Sequence, residues 1–292
     1  MSLGEGDVSF VLTAVNEDPT AQTTVVEVAG PGGRIDDGGV PDRSETGEVS
    51  LMVPARAGDV VRPGTYRVIL ASENRGDLDV TVLVKSGAVS ADTTQVLDVN
   101  VWLALSDPAA GSADFRAYLE AGLRVEMDQL LEPHDLRVGD ITFSVAGPDD
   151  LASFSSVNAN EVTDVCDAIA ADVGRTRAVN VGFVDRVFDA DGLRVGGTSS
   201  GLPGAPLVAA ADDTCVLVAR SARSGVAQHG VTILHESLHF MGLPHTDEPT
   251  NLLYGGSVGE PTPVHLSAEQ AWLVRRHPLL SAGLQEAGQT LP

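Results

Sequence analysis

The chain has 292 residues, with 41 Asp and Glu against 18 Lys and Arg, which gives a formal net charge of −23. This charge makes nucleic acid and anionic membrane surfaces poor partners, because phosphate binding needs clustered basic side chains. Hydrophobic residues make up 43% of the chain, and no apolar run reaches membrane-spanning length. The composition therefore predicts an acidic globular protein without a transmembrane segment.

Residues 1–95 are predicted to form short strands separated by turns. Their β-branched and apolar stretches are bounded by Gly, Pro, Asn or Asp, and no helical period of useful length occurs among them. Short strands at this spacing favour a small β-sandwich-like domain of unknown role, in which no site chemistry is visible. The predicted strands are residues 7–15, 23–29, 48–53, 64–70 and 78–84.

Residues 96–292 are predicted to form a second domain, after a linker near residues 86–94. A strand at 97–105 is followed by a long helix, a strand at 140–146, a helix that begins at a capping box at 158–161, and a strand at 178–184. Strands that alternate with helices indicate an α/β or α+β arrangement of layers. Core packing is predicted for the apolar residues of the long helix, which recur every three or four positions: Phe115, Tyr118, Leu119, Leu123, Met127, Leu130 and Leu131.

One segment carries more chemistry than any other part of the chain: His235-Glu-Ser-Leu-His-Phe-Met-Gly-Leu-Pro-His245. On a helix, His235 and His239 lie one turn apart on the same face. Gly242 suits a left-handed turn at the helix end, and Pro244 prevents the helix from continuing. The chain can then turn back and present His245 to the other two histidines.

Three neutral imidazoles with a fourth position free for water are typical of a single catalytic zinc ion. Glu236 is adjacent to the first predicted ligand and points beside the ligand face. We therefore expect it to act as the general base that accepts a proton from the metal-activated water. The sequence leaves the roles of Asp247 and Glu248 open. They either hydrogen-bond a ligand histidine or lie in a solvated loop.

The spacing His-Glu-x-x-His-x-x-Gly-x-x-His resembles the signature of the metzincin clan of zinc endopeptidases. The order of the elements between residues 97 and 184, followed by the histidine helix, is also similar to a metzincin catalytic domain, whereas residues 1–95 carry no such resemblance. The resemblance implies a mixed twisted sheet with long helices. It also implies a peptide substrate bound along an edge strand that includes Ser199, Ser200, Gly201 and Leu202.

The metzincin clan has a turn that bears a methionine below the zinc ligands, and the matching stretch here is Asn251-Leu-Leu-Tyr254. Leu253 stands at the methionine position, where a side chain of similar volume can form the same apolar floor. Tyr254 either touches the metal or the reacting group, as a nearby tyrosine does in some clan members, or is a packed aromatic. The short gap and His245-Thr246 resemble the pappalysin-type subgroup.

The resulting prediction is a zinc metalloendopeptidase that acts on peptides or proteins. The alternative is a surface or envelope binding protein whose protease-like domain is inactive, with residues 1–95 as the working part; the presence of Glu236 argues against it. Export to the periplasm, cell surface or medium is expected, with the export signal absent from this chain. Four features stay open at this point: the cleavage preference, the oligomeric state, the latency mechanism, and whether Cys166 and Cys215 pair.

Three histidines outside the motif are given ordinary roles. His134, His265 and His277 lie near predicted helix ends, where a cation is favoured or a loop is exposed. His229 precedes the first predicted ligand by six residues and is expected to cap the histidine helix or to lie behind the ligands. A last helix is predicted to begin at a capping box formed by Ser267 and Gln270.

Overall fold

The protein is a mixed α/β structure with several sheets and five α-helices in the part of the chain that the structure describes. The structure is a computed structural model. It describes residues 1–18, 20–35, 43–45, 48–73, 76–87, 89, 93–173, 177–199, 215–220, 229–255 and 264–282.

The described elements before residue 90 are all strands. They form two antiparallel sheets, β5-β6-β2-β9 and β4-β3-β8, and a short β1-β7 pair. Apolar side chains of both larger sheets meet in one buried cluster, in which the Phe10 ring packs edge-on against Tyr66 with centroids 5.5 Å apart. The strands are β1 (Ser2–Leu3), β2 (Asp7–Asn16), β3 (Thr23–Gly30), β4 (Gly33–Ile35), β5 (Arg43–Glu45), β6 (Glu48–Val53), β7 (Gly64–Thr65), β8 (Arg67–Ser72) and β9 (Leu78–Ser86).

A six-stranded sheet forms the centre of the rest of the chain. Its order is β11-β10-β13-β17-β16, with β18 pairing to one end of β10. The first four strands run parallel, and β16 runs antiparallel to β17. The strands are β10 (Gln95–Ala104), β11 (Leu136–Val145), β12 (Ser156–Asn158), β13 (Val179–Val184), β14 (Arg186–Phe188), β15 (Arg194–Val195), β16 (Gly197–Ser199), β17 (Val216–Ala219) and β18 (Ser281–Ala282).

Five helices of the described residues cover this sheet, and two of them are the long helix and the capping-box helix predicted between residues 97 and 184. They are α1 (Ala113–Leu131), α2 (Pro148–Phe154), α3 (Val162–Val173), α4 (His229–Phe240) and α5 (Ala268–Arg276). Strands β10, β13 and β17 are buried on both faces, since one core contains residues of α1 and α4 and a second contains residues of α3. Among the described residues, no helix is both long and apolar enough to span a membrane.

Helix α1 shows where the apolar pattern holds and where it fails. Leu119, Leu123, Met127 and Leu131 are buried at steps of four, as predicted. The prediction that Tyr118 packs in the core is wrong, because its side chain is 65% exposed. Tyr118 precedes Leu119 by one position, so on the helix it lies beside the buried row rather than on it.

The predicted capping boxes are present at both sites. Asn158 and Glu161 exchange hydrogen bonds at a 3₁₀ turn that leads into α3, and Ser267 and Gln270 do so at the start of α5. The cysteines, whose state the sequence leaves open, form a disulfide that joins Cys166 on α3 to Cys215 before β17. The bridge fixes a covering helix to the central sheet.

Strands β2 and β9 contact the end of α5 and the residues after it. The Ser9 hydroxyl donates to the Arg276 carbonyl, and Lys85 Nζ donates to the carbonyls of His277 and Leu280 at 3.2 and 2.8 Å. The expectation of a cationic or exposed His277 is wrong. Its side chain is fully buried, and that burial, with a smaller effect of the charge on Lys85, lowers its pKa to about 3.

Candidate metal centre

Helix α4 carries the first two histidines and is fixed at both ends. At its start, the Glu126 carboxylate on α1 accepts a hydrogen bond from the Gly230 amide at 2.9 Å. At its end, Gly242 has a φ of 92°, and its amide donates to the His239 carbonyl while the Leu243 amide donates to Leu238. This is the left-handed Schellman ending predicted for Gly242. It reverses the chain toward His245.

The structure brings the three motif histidines together. One ring nitrogen of each of His235, His239 and His245 lies within 4.8 Å of the other two. Ring centroids are 4.6 Å apart for His235 and His239, 4.3 Å for His239 and His245, and 5.5 Å for His235 and His245. His239 is buried and His245 is exposed, so the cluster lies where the helix face opens to solvent.

Backbone carbonyls orient two of the imidazoles. His235 Nδ1 lies 2.6 Å from the Leu252 carbonyl oxygen, and His239 Nδ1 lies 2.7 Å from that of Leu243. A carbonyl oxygen only accepts, so both Nδ1 atoms carry the proton and both Nε2 atoms present lone pairs. Ligand histidines in metal sites are held by the same kind of hydrogen bond.

The two Nε2 atoms of His235 and His239 are 3.0 Å apart. Two lone pairs at this distance repel each other unless a cation attracts both. Burial lowers the pKa of His235, the Leu252 carbonyl opposes this, and His245 adds to it. The lowered pKa favours the neutral imidazole that binds metal. The donor set therefore fits a zinc ion bound by three nitrogens.

Glu236 lies beneath the edge of the central sheet. Its side chain is 8% exposed, and the backbone of β16 passes next to it. A Cβ placed on Gly197 would lie 2.9 Å from Glu236 Cγ and 3.0 Å from its Oε1. The carboxylate therefore lies between the histidine helix and the strand that was predicted to bind substrate.

The turn Asn251–Tyr254 packs against the histidines, as expected for the methionine-bearing turn of the metzincins. Leu253 is fully buried in the core that contains α4, although it is the carbonyl of Leu252 that touches a histidine. Asn251 and Gln270 exchange two side-chain hydrogen bonds of 2.9 and 3.1 Å, which tie the turn to α5. No contact places the Tyr254 hydroxyl at the cluster, and its role stays a prediction.

Other predicted residues have varied outcomes. Ser199 pairs with Val216 at the end of β16, whereas Ser200, Gly201 and Leu202 lie outside the described residues. Backbone carbonyls lie at the Nδ1 atoms of His235 and His239, and the predicted roles of Asp247 and Glu248 stay open. Glu248 lies 3.5 Å from His265 Nε2.

His229 lies behind the ligands and packs edge-on against Phe183 at 4.9 Å. Burial, with a smaller effect of Arg220, lowers its pKa. The Glu126 carboxylate accepts from the Gly230 amide at the start of α4, and the roles predicted for His229 stay predictions.

Sequence reasoning also missed Glu126, Gly197, Gly255 and the carbonyl acceptors. A Cβ on Gly255 would lie 3.1 Å from His245 Cγ, so this glycine leaves room for the ring. These residues act through contacts that no local spacing encodes. A weak signal existed only for Gly196-Gly197, where two glycines interrupt a stretch that otherwise favours a strand.

Several solved structures resemble the chain in part. Metalloproteinase-II from Bacteroides fragilis has 18% identity and a TM-score of 0.39, covering 66% of this chain and 55% of its own. Archaemetzincin from Methanopyrus kandleri has 14% identity and a TM-score of 0.41, covering 62% and 94%. A zinc-dependent peptidase from Methanocorpusculum labreanum (strain Z) has 12% identity and a TM-score of 0.28, also covering 62% and 94%.

The chain thus spans only 55% of the length of the Bacteroides protein. A scan against protein-family models finds no match for the sequence. A search of curated proteins finds no match either.

Proposed function

We propose that the chain is a zinc-dependent endopeptidase whose ligands are His235, His239 and His245. The observation that carries the proposal is the convergence of three imidazole nitrogens within 4.8 Å, two of them on rings whose Nδ1 protons are held by backbone carbonyls. Surface histidines have no reason to share this arrangement. A single zinc ion, when bound, lowers the pKa of a water ligand and polarises a carbonyl group.

Glu236 acts as the general base in this proposal. It accepts a proton from the attacking water and passes it to the leaving amine, so that its carboxylate is regenerated at the end of each turnover. Its place next to the first proposed ligand and beside β16 supports the role. Tyr254 is proposed as a further donor to the oxyanion that develops on the scissile carbonyl.

The substrate is proposed to be an extended peptide that pairs with β16. Among the described strands, β16 is the last of the central sheet, and a strand edge offers backbone groups to a peptide by β-augmentation. The adjacent Glu236 would then lie close to the bond to be cleaved. The pappalysin-type subgroup, the two-part division at residue 95 and an exported location belong to the same proposal. The Cys166–Cys215 disulfide favours export, because such bridges persist in oxidising compartments.

The proposal is tested by loading the purified chain with zinc and incubating it with an unfolded protein and a peptide library. We expect cleavage within the peptides, and we expect Glu236→Gln to lower kcat by at least about 100-fold because the glutamine amide cannot accept the proton. Zinc content is measured in both proteins as the control. A wild-type chain that holds zinc but cleaves no peptide, or a fully active Glu236→Gln variant, would contradict the proposal.

A further inference from the structure

Gly197 opens β16 at the point where this strand crosses Glu236. Gly197 pairs with Val218 of the antiparallel neighbour β17. A Cβ at this position would lie 2.8 Å from the Leu217 carbonyl oxygen, 2.9 Å from Glu236 Cγ and 3.0 Å from Glu236 Oε1. Side-chain Cβ atoms do not approach other heavy atoms this closely, so a methyl group fits only if a neighbour moves.

The two neighbours differ in how far they can move. The Leu217 carbonyl belongs to β17, which is buried at all four residues and paired on both sides, to β13 and β16. The Glu236 atoms near Gly197 belong to a side chain with rotatable bonds, which can move more easily than the backbone of a paired strand. A methyl group on Gly197 would therefore displace the carboxylate, the strand, or both.

Backbone conformation does not explain the glycine. Gly197 lacks a positive φ, unlike Gly242 and Gly192, so alanine can adopt the same backbone geometry. The requirement at this position is space. Gly196, one residue earlier, differs, because among the described residues a Cβ there would meet only Thr232 Cγ2, at 3.9 Å.

We propose that Gly197 is a positioning residue for Glu236, because the space it leaves sets the carboxylate at a fixed distance from the edge strand. This inference rests on the proposed function, since it concerns the general base and the strand that would pair with the peptide. The same glycine fixes both: it lets β16 approach α4 and leaves the carboxylate room beneath the strand.

The proposal distinguishes Gly197 from an ordinary packing residue. If Gly197 only allowed the sheet to pack, alanine would lower the stability of the fold, and the molecules that remain folded would cleave peptides at the wild-type rate. A positioning role predicts a loss in the chemical step with peptide binding retained, because the ligands and the outer edge of β16 remain. We therefore compare Gly197→Ala with Gly196→Ala as the matched control.

The first measurement is steady-state cleavage by the zinc-loaded chain. We expect Gly197→Ala to lower kcat by about 10- to 100-fold with KM within about threefold of wild type, because misplacement of a base acts on the transition state. Zinc affinity should stay within about twofold. Gly196→Ala should match wild type in all three quantities. Unchanged kcat, or a loss of zinc that parallels the loss of kcat, would overturn the proposal.

The second measurement does not depend on cleavage. The melting temperature of the zinc-free chain is measured for Gly197→Ala, Glu236→Ala and the double variant. Removing the Glu236 side chain removes two of the three close contacts and leaves the one with the Leu217 carbonyl, so the destabilisation by Gly197→Ala should be smaller in the Glu236→Ala background. Equal destabilisation in both backgrounds would overturn the proposal. If wild type cleaves nothing, the proposed function fails, while this cycle still tests the contact.

Discussion

Two backbone carbonyls decide how the histidine cluster presents its nitrogens. Leu243 follows the helix end, and Leu252 belongs to the turn below it; each accepts the Nδ1 proton of one ring. With Nδ1 occupied, Nε2 is the only nitrogen left to bind metal. Residue identity at 243 and 252 matters little for this contact, because the backbone supplies it.

At the residue scale we predict that His245→Ala lowers zinc affinity by more than about 100-fold, which exceeds the loss usually caused by removing a residue that only orients a ligand. His245 comes from outside α4, and without it two imidazoles remain. The measurement is competition for zinc against a chromophoric chelator. His134→Ala, which lies outside the cluster, should bind zinc as wild type does. A His245→Ala variant with wild-type zinc affinity would remove this residue from the ligand set.

At the scale of the element, the contact between α1 and α4 sets where the histidine helix begins. Glu126 accepts from the Gly230 amide, and a Cβ on Gly230 would lie 2.8 Å from Glu126 Cβ. The glycine therefore permits the close approach that the cap requires. Burial raises the pKa of Glu126 to about 7, against opposing hydrogen bonds from the amides of Gly230 and Val231.

The raised pKa predicts how stability changes with pH. The folded chain holds the Glu126 proton up to a pKa of about 7, whereas the unfolded chain releases it near the ordinary value of 4.5. The contribution of this proton to the free energy of unfolding is therefore complete below about pH 4.5 and is lost as the pH rises through 7. Glu126→Gln does not titrate, so wild type should lose stability relative to this variant between pH 5 and 8.

Urea unfolding of the zinc-free proteins with a chelator present checks this prediction. The chelator matters because metal release at low pH would otherwise add its own pH dependence. A difference between wild type and Glu126→Gln that does not vary with pH would show that Glu126 titrates normally.

At the scale of the whole molecule, a buried amine on β9 binds the residues that follow α5. Lys85, the only lysine in the sequence, is 6% exposed and donates to the carbonyls of His277 and Leu280. Burial lowers its pKa to about 7, with smaller contributions from Arg177, Arg275 and Arg276. An ammonium group in this position is costly at neutral pH and below.

Lys85→Met should therefore change how stability depends on pH. Between about pH 7 and 10.5, the unfolded chain binds the Lys85 proton and the folded chain does not, so the free energy of unfolding of wild type rises with pH relative to the methionine variant. Urea unfolding at pH 7 and 9.5 measures the difference. If the free energies of unfolding of the two proteins differ by the same amount at both pH values, the pKa of Lys85 is not lowered in the folded chain.

The elements of the second part follow closely from the sequence, since most are governed by local rules. The stripe of α1, both capping boxes and the left-handed ending at Gly242 depend on residues within a few positions of one another. Errors arose where distant packing decides the outcome. Tyr118 is exposed and His277 is buried because of what the rest of the chain does or does not place over them.

The sequence by itself determined the chemistry of the candidate site. An i, i+4 pair of histidines, a glycine that reverses the chain and a third histidine after it place three ligands together through backbone geometry alone. The tertiary structure decided what surrounds them: the Leu252 carbonyl at His235, the space at Gly197 beside Glu236, and the Glu126 cap on α4. It also decided the burial of Lys85 against the Leu280 carbonyl. The physical reason is that each of these contacts joins residues far apart in the chain, and their register is set only when sheets and helices pack.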